Sequence, residues 1–478
     1  MKKHPELSRR DLLKLGLAAT ASLPLLPYMS IARGEAEAAH DYILTASESP
    51  VQLSDAPFPE TLLWAFNAGS PGPEIRVKQG QRVRILVRNE LAQPLTVHWH
   101  GLRIANAMDG VPHLTQPPIM PGESFVYDFT PPDAGTFWYH SHVNTAEQVG
   151  RGLYGVLIVE EPEPVAVDRD ITWVLDDWRL DNEAQIIGDF DNPRDLARAG
   201  RLGNTITLNG SMPRDLEVRA GERIRLRLVN VANARVFSLR FQHHTPVVVA
   251  RDGQPVKPHR PGGPVTVGAA QRIDLIVDMN NAPGESFSVI DTLYPQSPFR
   301  LVDIVYSPQA AIEGLTSRPV PRLPANPIPE PDLDDPTLYP VVLTGGDLGT
   351  LKKARMGDRD LDITRLYLLG KMWAINGVVS SGEKTDPMFE IERGRTVVLE
   401  FQNATAWPHP MHLHGHHFKV LEHSRDKEVV GAFLDTVLLG PGEQARVAFV
   451  ADNPGAWLFH CHILGHARSG MLTLFKVT

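Results

Sequence analysis

Pro73-Glu-Ile-Arg-Val-Lys-Gln-Gly80 and then Val83-Arg-Ile-Leu-Val-Arg-Asn89 read as a strand, a glycine turn and a second strand. Polar and apolar residues alternate at the start of 82–88, the pattern of a half-buried strand. The unit returns twice. Leu216-Glu-Val-Arg-Ala-Gly221 leads to Ile224-Arg-Leu-Arg-Leu-Val-Asn230, and Phe389-Glu-Ile-Glu-Arg-Gly394 leads to Val397-Val-Leu-Glu-Phe-Gln-Asn403. In each copy the glycine stands nine residues before the closing asparagine. An Asn-(Ala)-Gly turn precedes each copy, at Asn67-Ala-Gly69, Asn209-Gly210 and Asn376-Gly377. A unit repeated at this spacing predicts an all-β chain of three consecutive sandwich domains.

The rest of the chain agrees with that class. Its 41 prolines and 38 glycines in 478 residues call for many turns. Glu160-Glu-Pro-Glu-Pro164 closes the first unit, which gives a first domain at 40–162 and a second at 163–308. A stretch carrying Pro319, Pro321, Pro324, Pro327, Pro329 and Pro331 predicts a linker at 309–340, extended over the surface, before a third domain at 341–478. Net charge is −9 and there is no basic run, which argues against nucleic acid as a partner.

Residues 1–38 differ from the remainder. Ser8-Arg9-Arg10-Asp11-Leu12-Leu13-Lys14 precedes a modest apolar stretch from Leu15 to Leu26, and Ala36-Glu37-Ala38 stands before Ala39. Paired arginines, a short apolar core and an A-x-A site resemble a twin-arginine signal peptide. The expectation is export by the twin-arginine machinery to the periplasm or beyond. The apolar stretch is too short for a stable membrane span.

Four clusters carry the chemistry: His98-Trp-His100-Gly101, His140-Ser-His142, His409-Pro-Met-His412-Leu-His414-Gly415, and His460-Cys461-His462 with His466 and Met471. They hold ten of the 19 histidines and the only cysteine. Residues i and i+2 of a strand share a face, so each His-x-His can aim two imidazoles at one metal group. Imidazole suits several metals, and those pairs alone do not choose among them. The fourth cluster does. Cys461 points away from His460 and His462, so one thiolate faces one site while two imidazoles face another. With His409, His466 and Met471, the thiolate completes two imidazoles, a cysteine and a weak axial thioether, the pattern of blue-copper electron transfer. The short path from Cys461 to its neighbours then wires a one-electron acceptor to a histidine-rich cluster, as O₂ reduction requires.

At these residues the chain resembles the multicopper oxidases, which include laccases, ascorbate oxidase, ceruloplasmin-type ferroxidases and bacterial cuprous oxidases. The resemblance spans the whole chain after the leader. It implies three cupredoxin-like Greek-key β-sandwich domains and four copper ions, one type 1, one type 2 and two type 3. By resemblance, His409, Cys461 and His466 hold the type 1 copper with Met471 axial. His98 and His412 hold the type 2 copper. His100, His140, His142, His414, His460 and His462 hold the type 3 pair. The eight cluster histidines come from the first and third domains, so the cluster is expected between them, with the second domain as a spacer. Asp109 stands where the family places an acid that relays protons during O–O cleavage. Related bacterial enzymes often carry a further acid directly after the position of His466, where this chain has Ala467.

His416 and His417 read as structural, and His113, His243, His244, His259 and His423 as surface or satisfied histidines. Glu147-Gln-Val-Gly-Arg151 is expected to pack near the copper sites. The resemblance implies a laccase-like enzyme that takes electrons from phenols or aromatic amines and reduces O₂ to water. An alternative donor is Cu(I), Mn(II) or Fe(II). The 11 methionines form no cluster of the kind cuprous oxidases often insert, which disfavours a specialised Cu(I) role. The intact ligand set disfavours a non-catalytic cupredoxin scaffold, and the paired histidines disfavour a nitrite reductase.

Overall fold

In the computed structural model, which describes residues 40–382 and 386–478, the three repeat copies become the same piece of architecture. The leader lies outside the described residues. The two strands of each copy do not pair with one another. Gly72–Lys78 and Val83–Asn89 belong to opposite sheets, as do Leu216–Val218 and Arg223–Asn230, and Pro387–Ile391 and Thr396–Asn403. The turn glycines at φ +76, +93 and +88 therefore make corners of sandwiches rather than hairpin ends.

The repeated asparagines do the same work three times. The Asn-Gly asparagines hold φ near +50, a conformation asparagine tolerates. Each brackets the first long strand of its domain: Asn67 bonds Thr45 N and Ile43 O, Asn209 bonds Val174 N and Thr172 O, and Asn376 bonds Val342 N and Pro340 O. The closing asparagines 89, 230 and 403 are buried and clamp the next connection. Asn230 Nδ2 donates to Arg235 O and Val267 O, and its Oδ1 accepts from Ala232 N. The strand that ends in this asparagine runs parallel to the first strand of its domain in all three copies.

The first sandwich pairs two four-stranded sheets; the second and third each pair a six-stranded with a five-stranded sheet. Each encloses its own apolar core, and a further cluster of Trp138, Tyr154, Trp178, Val229 and Leu464 joins residues from all three sandwiches. Residues 41–478 accordingly form one compact unit.

The strand Arg223–Asn230 shows why alternation does not always mean a wet face. Ile224, Leu226 and Leu228 enter the core, and Arg223, Arg225 and Arg227 are buried on the other side. Arg227 reaches Asp170 and Thr136, Arg225 reaches Asp274 and Glu161, and Arg223 reaches Asp278 and the carbonyls of Arg318 and Pro319. Buried arginine stays only with such partners.

The proline-rich stretch is shorter and less free than expected. A strand starts at Thr337, inside the anticipated linker. Leu323 is buried against Val249, Ala250 and Ile276. Asn326 bonds both backbone groups of Ala134 and the side chains of Gln79 and Gln254. Prolines supply stiffness, but these contacts pin the segment across two sandwiches. No helix among the described residues is long and apolar enough to cross a membrane.

Replacing Asn230 by Ala should strand two carbonyls and one N–H in the second sandwich, at about 1–3 kcal/mol for each group left unmet. Thermal unfolding should begin several degrees lower. An unchanged Tm would contradict the clamp.

Candidate metal centre

Strand register assembles the site. In the first sandwich Val97–His100 pairs with Gly135–Ser141 so that His98 lies opposite His140, and His142 N continues the ladder to Thr96 O. In the third, His409–Leu413 pairs with Gly455–Cys461 so that His412 lies opposite His460 and Met411 opposite Cys461. His414 N and His462 N extend that ladder to Leu458 O and Pro410 O. Side chains alternate along each strand, so His412, His414, His460 and His462 take one face and His409 and Cys461 the other.

The eight histidines meet between the two sandwiches. His98 stacks on His414 at 3.9 Å between ring centroids, and His100 stacks on His412 at 3.7 Å. His462 comes within 4.9 Å of His100 and 5.2 Å of His140. His142, His414 and His460 converge closely enough to share one ion, and His414 Nε2 is 3.0 Å from His460 Nε2. On the other face Cys461 Sγ lies 3.5 Å from His409 Nδ1 and 3.6 Å from His466 Nδ1, and those two nitrogens are 3.1 Å apart. Met471 is buried, and its carbonyl accepts from Cys461 N, which brings the two residues side by side. All twelve expected positions are thus brought into two adjoining groups.

The donor chemistry fits metal. Burial, then neighbouring imidazoles, holds His100, His140, His414, His460 and His462 well below the ordinary imidazole range and His142 at about 3, so they stay neutral donors. His98, His140 and His412 each spend Nδ1 on a backbone carbonyl and leave a buried Nε2 with no protein partner. His142 Nε2, His100 Nδ1 and both nitrogens of His462 are also buried and unmet. So many orphaned nitrogens aimed at one space would be costly in a metal-free design. Burial also pushes the Cys461 thiol up, so thiolate forms only when a cation displaces the proton.

Carboxylates orient the ring of histidines. Asp109 is buried; burial alone would push it up, but His414 and His98 hold it far below the usual carboxylate range. His414 Nδ1 donates to Asp109 Oδ2 at 2.9 Å, and His98 Nδ1 donates to the Asp109 carbonyl at 2.8 Å.

A second acid, Asp435, was not legible in the sequence. His100 Nε2 donates to Asp435 Oδ1 at 3.1 Å, and His412 Nδ1 donates to its carbonyl at 3.0 Å. Arg272 from the second sandwich forks onto both Asp435 oxygens at 3.0 and 2.6 Å. Burial opposes this charge, and Arg272 then His100 hold Asp435 well below the ordinary range. Gly101, at φ +87, sits where a Cβ would strike Arg272 and Asp435, which explains the glycine after His-x-His. The second sandwich gives none of the twelve residues, yet it is more than a spacer. It supplies Arg272 here and, at the other group, the Arg198 carbonyl that accepts from His466 Nε2 at 2.6 Å.

Three further histidines are held by ordinary packing or hydrogen bonds. His416 is wedged among Phe449, Trp457 and Phe475, His423 bonds Leu438 O and accepts from Arg425 N and Asp426 N, and His244 bonds Tyr306 and Gln242 O. Glu147–Arg151 packs by the cluster as expected: Gln148 is buried and accepts from Ser141, the residue between His140 and His142.

A thiolate-and-imidazole site joined by one strand to an eight-imidazole cluster, on sandwiches of this topology, defines a copper oxidoreductase that uses O₂. Residues 49–164, 169–297 and 358–478 each match a family described as multicopper oxidase. The multicopper oxidase MmcO of Mycobacterium tuberculosis is 31% identical, with 98% of this chain and 96% of the relative covered. The chain belongs to the multicopper oxidase family. Among solved structures, the multi-copper oxidase of Pseudomonas thermotolerans is 34% identical at a TM-score of 0.81, covering 92% of this chain and 99% of that one. The multicopper oxidase of Campylobacter jejuni, described as a metallo-oxidase, is 25% identical at a TM-score of 0.75, covering 91% of each chain.

Asp435→Asn should cut copper retention in the cluster by about 10–100-fold, because it loosens His100 and removes the carboxylate that Arg272 forks onto, leaving Arg272 only the longer pair with Asp252 at 3.6 Å. Dialysis against a graded chelator followed by metal analysis reads this. Wild-type retention would show that the Arg272–Asp435 fork is incidental.

Proposed function

We propose that this laccase-like oxidase binds four copper ions and carries electrons from Cys461 to the eight-histidine cluster. His409, Cys461, His466 and Met471 would hold the type 1 ion. His98 and His412 would hold the type 2 ion. His100, His140, His142, His414, His460 and His462 would hold the type 3 pair. When bound, the copper ions supply one-electron acceptance from the donor and four-electron reduction of O₂ to water. The observation that carries the assignment is the single strand in which Cys461 faces one group while His460 and His462 face the other. The chain's own work is to hold the imidazoles neutral, to orient them through Asp109 and Asp435, and to hold a carboxylate at Asp109 that relays protons.

The donor reading is phenols or aromatic amines. A cleft of about 720 Å³ opens between the second and third sandwiches, lined by Trp407 and Pro408, which directly precede His409, and by Leu202, Tyr294, Val429 and Leu438. That size and mixed lining suit a small organic molecule. A second reading, oxidation of Cu(I), Mn(II) or Fe(II), draws on one observation. The outer nitrogen of His466 is roofed by the Arg198 carbonyl, and Arg198 is clasped to Asp347 at 2.7 Å, so an aromatic ring cannot meet that edge directly. O₂ uptake with a phenol, an aromatic amine, Cu(I), Mn(II) and Fe(II) separates the two. Turnover with the organic donors supports the first, and turnover with metal ions alone replaces it with the second.

Asp109→Asn should keep the type 1 colour while O₂ turnover falls about 10²–10⁴-fold, the usual worth of a positioned proton-transfer group. Unchanged turnover would remove that role. We also propose that the chain is exported through its paired arginines. Lysine at both Arg9 and Arg10 should leave the protein in the cytoplasm, and normal export would contradict the leader.

A further inference from the structure

Four large apolar side chains stand in solvent within one short segment of the third sandwich. Leu348 is 80% exposed, Leu368 79%, Leu369 50% and Tyr367 41%. The helix Ile363–Leu368 fully buries only Leu366, against Ala354, Ala374 and Val379, and leaves its last residues outward. The Tyr367 hydroxyl lies 3.5 Å from Gly346 O, which brings the end of this helix beside the turn at Leu348. Leu348 holds φ +64, a strained conformation that asparagine or glycine would adopt more readily. The chain thus keeps an aliphatic side chain in water at a conformational cost.

Cations accompany the patch. Lys352, Lys353, Arg355, Arg359 and Arg365 are exposed and form no ion pair among the described residues, and Lys371 follows the helix. Asp358, Asp360 and Asp362 are the acids of the same stretch, while Asp347 is taken up by Arg198. Positive charge therefore prevails here, in a chain of net charge −9. Exposed leucines with lysine and arginine beside them are the composition that seats a protein in the headgroup layer of an anionic bilayer. A second copy seated on the same patch would set these cations against their own counterparts.

The patch adjoins the donor entrance. The carbonyl of Asp347, the residue before Leu348, accepts from Trp407 Nε1 at 2.9 Å, and its N–H donates to Ala197 O at 2.6 Å. Trp407 lines the donor cleft, and Arg198 carries the carbonyl that roofs His466.

We propose that Leu348, Tyr367, Leu368 and Leu369 form a docking surface for an anionic membrane, which sets the donor cleft at the headgroup layer and makes phenols dissolved in the bilayer its donors. The contact is peripheral and reversible and needs no membrane span. Four such phenols each give up one electron and one proton, and one O₂ takes up all four of each to leave two waters. The apolar residues enter the headgroup boundary, and the cations meet the lipid phosphates.

The donor part of this inference rests on the phenol reading above, and turnover with a water-soluble phenol, measured in parallel, separates failure of that reading from failure of the docking surface. Copper-loaded protein is sedimented with vesicles of phosphatidylcholine, with or without phosphatidylglycerol. It should bind the anionic vesicles about tenfold more tightly than the neutral ones. Leu348→Asn combined with Leu368→Ser should weaken vesicle binding about ten- to a hundredfold. Its Tm should be no lower than that of the wild type, because asparagine relieves the turn. The double variant should oxidise the water-soluble phenol at the wild-type rate and lose most of its rate on a long-chain alkylphenol carried in the anionic vesicles. Wild-type protein that stays in the supernatant with anionic vesicles, or a double variant that binds them as well as the wild type, would overturn the proposal. A double variant that turns a dimer into a monomer, with no vesicle binding by either form, would assign the patch to a second copy and overturn it equally.

Discussion

Alternation of side chains along a strand is the constraint on which the rest depends. In Gly455–Cys461 and its extension to His462, neighbouring residues must face opposite ways, and no rearrangement of side chains can change that. A thiolate and two imidazoles placed in consecutive positions therefore belong to two sites that can never drift apart. The same rule, applied to the paired strands in both outer sandwiches, points His98 with His140 and His412 with His460 toward a common space. Electron storage on one face and oxygen reduction on the other become consequences of backbone geometry.

Holding eight neutral imidazoles in a dry space is unfavourable unless their other nitrogens are satisfied. For six of the eight the protein meets this with carbonyls and two buried acids, and it steadies the acids from elsewhere in the fold. Arg272 grips Asp435, which grips His100, so one chain of charge-assisted bonds crosses the second, third and first sandwiches. Buried Arg225 and Arg227 tie the second sandwich to the first through Glu161 and Thr136, and Arg223 ties it to the carbonyls of Arg318 and Pro319. Rigidity of the interface and preorganisation of the site have a common origin here.

How far the sequence could be read follows from how local each feature is. The repeats, the strands and the twelve candidate ligand positions are written in short segments, most of them with a period of two, and so could be read from the sequence. That the two strands of each repeat enter opposite sheets was not, because partner choice is decided by strands far along the chain. Asp435 and Arg272 stand 163 residues apart with no motif around either, and the Arg198 carbonyl that roofs His466 lies 268 residues away. The prolines marked a stiff segment correctly but carried no sign of Leu323 and Asn326, whose contacts pin it. Pairwise, long-range satisfaction of buried polar groups is what the linear pattern conceals.

One thiolate shared between two imidazoles underlies every functional statement, and its spectrum is the most direct probe. Protein supplied with copper should absorb strongly toward the red end of the visible and hold about four copper ions per chain, and Cys461→Ser should erase the band while the cluster keeps its metal. A colourless protein that binds fewer than about two copper ions, or a band that survives Cys461→Ser, would contradict it.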